Sequence, residues 1–180
     1  ETRVADAEGN NVPKDMETIG EILFRGDIVM DGYWNEPEAT AEAIRENWLR
    51  TGDVAVWDEH NYVLIVDRQK DVIISGGENI SSIEIEKILV THPAVYETAV
   101  VAVPDEKWGE VPKAYVVLKP DVTASEDDIK NHVREHLAGF KVPKSVEFQA
   151  ELPKGATGKI LKRALRDPHW EGMEKHVHGS

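Results

Sequence analysis

The hydrophobic rhythm of this chain changes once, near Asp67–Lys70, and that change restricts the folds open to it. Before it the chain is strand-rich. Glu21–Val29 reads as a strand, with Ile22, Phe24 and Ile28 on one face and Gly26-Asp27 as a tight turn inside a hairpin. Asn35 offers a helix cap, with Glu38 three residues on and Pro37 in the first turn, and this helix is expected to end near Asn47. Trp48–Trp57 and Tyr62–Asp67 read as strands joined by the turn Asp58-Glu59-His60-Asn61.

After the change, strands alternate with helices. Val72–Ser75 is a short apolar strand. Ser81 or Ser82 caps a helix whose core face is Ile85, Ile88, Leu89 and His92, and Pro93 ends it. Val95–Val103 and Lys113–Leu118 are β-branched strands separated by a Pro104–Pro112 loop. Ser125, with Asp127 and Asp128 in the first turn, opens a helix carrying the stripe Ile129, Val133 and Leu137. A strand over Ser145–Gln149 and a short helix over Lys159–Arg166 follow. The segment after Asp167 is polar apart from Trp170 and is expected to be loosely held.

An apolar fraction of 41% supports a packed core. No stretch approaches the roughly 20 apolar residues that span a bilayer. Glu1-Thr2-Arg3 does not read as a signal peptide, and His178-Gly179-Ser180 is not a peroxisomal or reticular address. With no cysteine there is no thiol chemistry, and a cytoplasmic chain is expected. A net charge of −13 argues against a broad nucleic-acid surface, although a few cations in one cleft can still hold a nucleotide.

Several residues have the right chemistry for such a cleft, each with a plainer alternative. Lys159 follows the flexible turn Gly155-Ala156-Thr157-Gly158, and its ammonium can bridge a substrate carboxylate and a phosphate. On the residues alone it reads more simply as a solvated lysine just inside a helix start. Ile160 after it rules out the phosphate loop that ends in Lys-Ser/Thr. Asp53, in Arg50-Thr51-Gly52-Asp53, can accept hydrogen bonds from two ribose hydroxyls, or simply form a turn. Asp67–Asp71 is either a hinge or a solvated linker, and Gly76-Gly77 either a close ligand approach or a tight turn. Trp108 can stack on a purine or anchor a loop. His132 and His136 have a helical spacing that zinc can use, but the sequence shows no third ligand, so no metal residue is assigned.

Taken in order, these segments resemble the C-terminal part of the acyl-CoA synthetases of the adenylate-forming superfamily, over about Gly20 to Arg166. The carriers are Asp31-Gly32-Tyr33-Trp34-Asn35-Glu36-Pro37-Glu38-Ala39-Thr40, Leu49-Arg50-Thr51-Gly52-Asp53, Asp67–Glu78 and Pro153-Lys154-Gly155-Ala156-Thr157-Gly158-Lys159. The resemblance implies that Asp53 and Arg68 meet the nucleotide and that Lys70 is the hinge. It implies that Gly76, Gly77, Glu78, Trp108 and Arg134 serve CoA, and that Lys159 is the adenylation lysine. The implied fold is mixed α/β (α+β). A β-rich remnant of a large N-terminal domain covers residues 1–66. A compact mobile domain over 67–168 follows, with a central three-stranded sheet flanked by helices, and 169–180 is a tail.

The implied reaction joins a carboxylic acid, expected to be fatty, to CoA through an acyl-adenylate formed from ATP, with AMP released. Mg²⁺ would be held by a residue upstream. No Ser/Thr/Gly-rich phosphate loop precedes Asp53, so these residues alone are not expected to make an acyl-adenylate. The expected partners are the acid, ATP, CoA and the missing domain; a homo-oligomer is allowed and nucleic acid is not expected. Two other readings remain open at this point: an amino-acid-activating domain serving a carrier protein, and a stand-alone module that binds CoA or a nucleotide.

Overall fold

The computed structural model describes residues 1–172. The chain divides into two compact units between Lys70 and Asp71. The readings made on His176, His178 and the C-terminal tripeptide lie outside the described residues.

The first unit is an antiparallel sheet of β1 (Thr2–Ala5), β2 (Gly20–Phe24), β3 (Ile44–Arg45), β4 (Trp48–Trp57) and β5 (Val63–Arg68), with one helix, α1 (Pro37–Ala43). β2 runs along one edge of β4, while β3 and β5 share the other. Val4, Val12, Ile22, Ala55 and Trp57 make its core, and the Trp57 indole N–H donates to Val12 O at 3.0 Å.

Three expectations fail in this unit. β2 does not close a hairpin at Gly26-Asp27; it ends at Phe24 and pairs with β1 and β4. Asn35 does not cap α1. It sits in the left-handed region at φ 57°, and Glu36 occupies the cap position without a side-chain bond. The Thr40 hydroxyl organises this turn instead, donating to Glu36 O at 2.7 Å and accepting from Tyr33 N at 2.9 Å. α1 also stops at Ala43, not near Asn47. Glu46 and Asn47 both take positive φ, which suits a two-residue hairpin turn, so Ile44–Arg45 folds back on Trp48–Leu49.

The second unit contains β6 (Ile73–Ser75), β7 (Glu78–Ile80), α2 (Ser82–Leu89), β8 (Val95–Asp105), β9 (Gly109–Leu118), α3 (Glu126–His136), β10 (Ser145–Phe148) and α4 (Lys162–Arg166). β9 is the centre: β8 lies antiparallel on one edge and β10 parallel on the other. The expected three-stranded sheet is thus β8-β9-β10, and the β6–β7 hairpin enlarges it to five strands through the Ser75–Gly109 pair.

Both faces of this sheet are covered, which explains why its strands read as unbroken β-branched runs. Val100, Ala102, Ala114 and Val116 pack with Ile85 and Leu89 of α2 and Ile129 and Val133 of α3. Ala99, Val101, Tyr115 and Val117 point the other way, against Leu152 and Leu165. The helix caps follow the sequence: Ser81 Oγ accepts from Glu84 N, and Ser125 and Asp128 form a reciprocal capping box.

Two further expectations are corrected here. The Pro104–Pro112 loop is mostly strand, with Pro104 opposite Glu110 and Ala102 opposite Pro112. A proline removes one donor, but every second N–H of an antiparallel strand points away from its partner, so the ladder survives. The segment after Asp167 is not loose through Trp170. The Trp170 indole N–H donates to Ala102 O at 3.1 Å and the ring packs on the α2/α3 core, while His169 Nε2 lies 2.6 Å from the Tyr115 hydroxyl. Trp170→Ala is therefore expected to lower the unfolding free energy by about 2–3 kcal/mol, below the full cost for a buried tryptophan because the ring is half-buried. A urea titration checks this; a change under about 0.5 kcal/mol would mean that the segment is not anchored.

Candidate functional site

In the first unit the candidate residues rest on a bulge. Glu21 and Leu23 of β2 stand opposite Val54 and Arg50 of β4, so three residues, Thr51-Gly52-Asp53, face the single Ile22. Such an insertion lifts side chains out of the ladder. Gly52 takes φ +71°, a conformation that a side chain would strain. Glu21 holds the bulge from beneath. It is 6% exposed; its Oε2 accepts from Arg50 Nε at 2.7 Å and its Oε1 from Gly52 N at 2.9 Å. The Thr51 hydroxyl donates to Ile22 O and accepts from Asp53 N.

Asp53 is left partly exposed, with Arg68 Nε 3.5 Å from its Oδ1, because the β4–β5 register sets the two residues side by side. The chain beyond is tied back by Gln69 N donating to Gly52 O, and the buried Asp67 accepts from Arg68 N. Two of the residues singled out for nucleotide contact are thereby brought together. Lys70, assigned as the hinge, is exposed and is the last residue of this unit. Glu21 gives no signal in the sequence, because its partners lie 29 and 31 residues away. Glu21→Gln puts an amide N–H against a donor and is expected to cost about 1–3 kcal/mol in a denaturant titration. A stability equal to that of the parent chain would show that the carboxylate does not hold the bulge.

In the second unit Gly76 and Gly77 are the two turn residues between paired Ser75 and Glu78, at φ +60° and +91°. Both need the left-handed region, as a two-residue hairpin turn demands. Gly76 also needs the space: a Cβ there would lie 2.7 Å from Trp108 Cε3, and Gly76 N donates to Trp108 O at 2.9 Å. Gly77 faces open space, and Glu78 is exposed beside it. Trp108 is itself fixed. Asp105 Oδ1 accepts from Lys107 N and Trp108 N, bonds that hold its carboxyl below the usual range, and Lys107 Nζ lies 4.6 Å from the indole centroid. The buried Glu110, also silent in the sequence, accepts from Ile74 N at 3.0 Å and fastens the hairpin to β9.

Gly76, Gly77, Glu78 and Trp108 thus form one group: a narrow glycine turn beside a half-exposed indole. Arg134 is not joined to it by any hydrogen bond; it lies exposed on α3 and donates to Asn131 of its own helix.

Lys159 lies at the end of a closed loop, not inside a helix start, since α4 begins at Lys162. The loop is cross-tied: Lys154 pairs with Ile160, Gly155 N donates to Lys159 O, and Leu161 N donates to Pro153 O. Its flanks are pinned by Leu152 and Leu165 in the core and by two ion pairs, Lys154–Glu97 at 2.9 Å and Lys162–Glu86 at 2.7 Å. The Glu97 carboxylate raises the pKa of the Lys154 ammonium. Lys159 differs from both neighbours. It is exposed, and its side chain has no hydrogen bond or ion pair among the described residues. A rigid loop therefore presents an uncommitted cation.

The chain thus sets a carboxylate on a bulge in its β-rich unit, and a glycine turn and a loop lysine in its α+β unit. Its relationship to known proteins comes from comparison. Residues 84–159 match the family model of the AMP-binding enzyme C-terminal domain. A peroxisomal butyrate–CoA ligase of Arabidopsis thaliana is 51% identical over 87% of this chain and 28% of its own length. A peroxisomal benzoate–CoA ligase of the same plant is 49% identical over 87% of this chain and 29% of its own. Among solved structures, ATP-bound MatB from Rhodopseudomonas palustris is 36% identical with a TM-score of 0.85, covering 97% of this chain and 35% of that one. The o-succinylbenzoate–CoA synthetase of Bacillus subtilis, in complex with its acyl-adenylate intermediate, gives 36% identity and a TM-score of 0.83 over 93% and 34%. The chain carries an AMP-binding enzyme C-terminal domain and is homologous to the CoA ligases among the adenylate-forming enzymes. It spans less than a third of the length of the two curated plant relatives.

Proposed function

We propose that this chain is the C-terminal portion of an ATP-dependent acid–CoA ligase, with the first unit, through Lys70, closing a larger N-terminal domain and the second, from Asp71 to about residue 168, forming the mobile one. The carrying observation is that one compact unit holds two separately prepared elements: the uncommitted Lys159 ammonium, and the Gly76-Gly77 turn against Trp108. They suit the two halves of the reaction. In the first, the acid's carboxylate oxygen attacks the α-phosphorus of ATP, and pyrophosphate leaves. Lys159 donates to the crowded oxygens in that transition state. Asp53 accepts from the ribose hydroxyls, with Arg68 beside it. In the second, the CoA thiol loses its proton and its sulfur attacks the acyl carbon, and AMP leaves. Gly76 and Gly77 let the narrow pantetheine arm pass close to the backbone, while Glu78, Trp108 and Arg134 meet the rest of CoA. Lys70 is the pivot whose backbone torsions change between the two steps.

Mg²⁺ enters with ATP. The acids around Asp53 do not suit it: Glu21 is committed to Arg50 and Gly52, and Asp67 accepts from Arg68 N. Its protein ligand is therefore assigned outside these residues, as is the phosphate loop, so the 180 residues alone are expected not to form an acyl-adenylate. Relatives named for butyrate, benzoate and trans-cinnamate favour a short-chain or aryl acid within the wider class of fatty and similar apolar acids. No described helix is long and apolar enough to cross a membrane. Cytoplasmic residence is the sequence reading, while several relatives are named as peroxisomal. The test is the complete enzyme with ATP, free CoA and a panel of acids, reading pyrophosphate and thioester. Acyl-CoA formation is expected; transfer only to a phosphopantetheinyl protein would overturn the CoA reading.

A further inference from the structure

The C-terminal half of α3 carries a ligand set that the ligase chemistry does not use. His132 and His136 lie four residues apart on α3, and the structure supplies the third group that their spacing lacked. A ring nitrogen of each histidine and a carboxylate oxygen of Glu135 lie within 4.8 Å of one another.

The ring protons are placed by their partners. A carbonyl oxygen only accepts. Ile88 O is 3.2 Å from His132 Nε2, so that nitrogen carries hydrogen. The Thr91 hydroxyl gives its own proton to Ile88 O at 2.7 Å and accepts from the same Nε2 at 2.9 Å. His132 O is 2.8 Å from His136 Nδ1, which therefore donates. In the neutral rings the lone pairs are left on His132 Nδ1 and His136 Nε2. One N–H held by an oxygen and the other nitrogen left to ligate is the state of a metal-binding histidine. The surroundings favour a cation too. The set lies at the C-terminal end of a helix, where carbonyl dipoles are unpaired, on a chain of net charge −13. The one neighbouring guanidinium on this turn, Arg134, bends back to Asn131.

We propose that His132, Glu135 and His136 bind a first-row transition dication of borderline softness, Zn²⁺ in the first instance, with the remaining positions open to water. Two imidazoles and one carboxylate suit such an ion and not Mg²⁺ or Ca²⁺, which prefer oxygen-only shells. Bound there, the ion would fasten the last turn of α3.

The test uses the 180-residue chain with His176→Asn and His178→Asn as background, so that tail imidazoles do not compete. Co²⁺ is titrated while its visible absorption is followed, and Zn²⁺ is then added. One saturable Co²⁺ site, emptied by Zn²⁺ and indifferent to excess Mg²⁺, is expected. His136→Asn and Glu135→Gln, both at exposed positions, should keep the circular dichroism of the background and weaken Co²⁺ binding at least about tenfold. Thr91→Val, which takes one oxygen from the His132 N–H, should weaken it about tenfold. Unchanged affinity in His136→Asn, or a Co²⁺ signal present only when His176 and His178 are restored, would overturn the proposal.

Discussion

Lys159→Ala in the complete enzyme is expected to slow adenylate formation by about 10²–10³-fold, the usual cost of removing one preorganised donor from a charged transition state. Thioester formation from a supplied acyl-adenylate should not change, because the proposed role of the lysine ends with the first step. Three observations lead to this. The loop is cross-tied at Lys154–Ile160 and Leu161–Pro153, its two neighbouring lysines are spent on Glu97 and Glu86, and Lys159 alone of these is uncommitted. Lys159→Arg should not restore the rate, since a planar guanidinium places its donors differently from a compact ammonium. The folded state should be almost unaffected, as an exposed side chain without partners among the described residues contributes little. Acid-dependent exchange of pyrophosphate with ATP measures the first step, and release of acyl-CoA from synthetic acyl-adenylate the second. Equal loss in both assays would show that Lys159 does not serve the phosphoryl step alone.

Gly76→Ala should give the opposite pattern, with adenylation retained and thioester formation reduced about 10²-fold, the scale set by ångström misplacement of a reacting group. The added methyl meets two obstacles. Its φ of +60° is costly for any residue with a Cβ, by about 1–2 kcal/mol. The methyl would also sit 2.7 Å from the Trp108 ring, so the indole or the turn must move. Both disturb the surface assigned to CoA, and neither touches the Lys159 loop. Separate assays of the half-reactions decide it; a larger loss in adenylation than in thioester formation would reverse the assignment.

Much of this is legible in the sequence, and the misses have physical causes. Ser81, Ser125 and the Ile129/Val133 stripe are local signals, and the helices form where they point. Pro104 and Pro112 mislead because their effect depends on which way a missing N–H would have faced, and only strand pairing fixes that. α1 ends early because the Glu46-Asn47 turn carries the chain into a strand, whatever the helix periodicity suggests. At the site, the glycines and lysine announce themselves by type and order. Glu21 and Glu110 do not, since a buried acid is recognisable only beside its distant donors: Arg50 and Gly52 for one, Ile74 for the other. Glu135 is equally silent as a ligand until its helix turn puts it beside two imidazoles.

The two-faced sheet of the second unit has a consequence for how such a protein can change. The glycine turn is rooted through Ile73 and Ile80 in the core on one side of β8–β9, and the lysine loop through Leu152 and Leu165 in the core on the other. Core substitutions beneath one are separated from the other by a layer of paired backbone, while Lys162–Glu86 and Arg166–Asp71 tie α4 to the glycine-turn side. Changes at distant sites that share no partner combine additively to within about 0.3–0.5 kcal/mol. If the glycine turn serves the thiol step and the lysine loop the phosphoryl step, as proposed, drift or laboratory selection acting on core residues can retune one while leaving the other near its former efficiency.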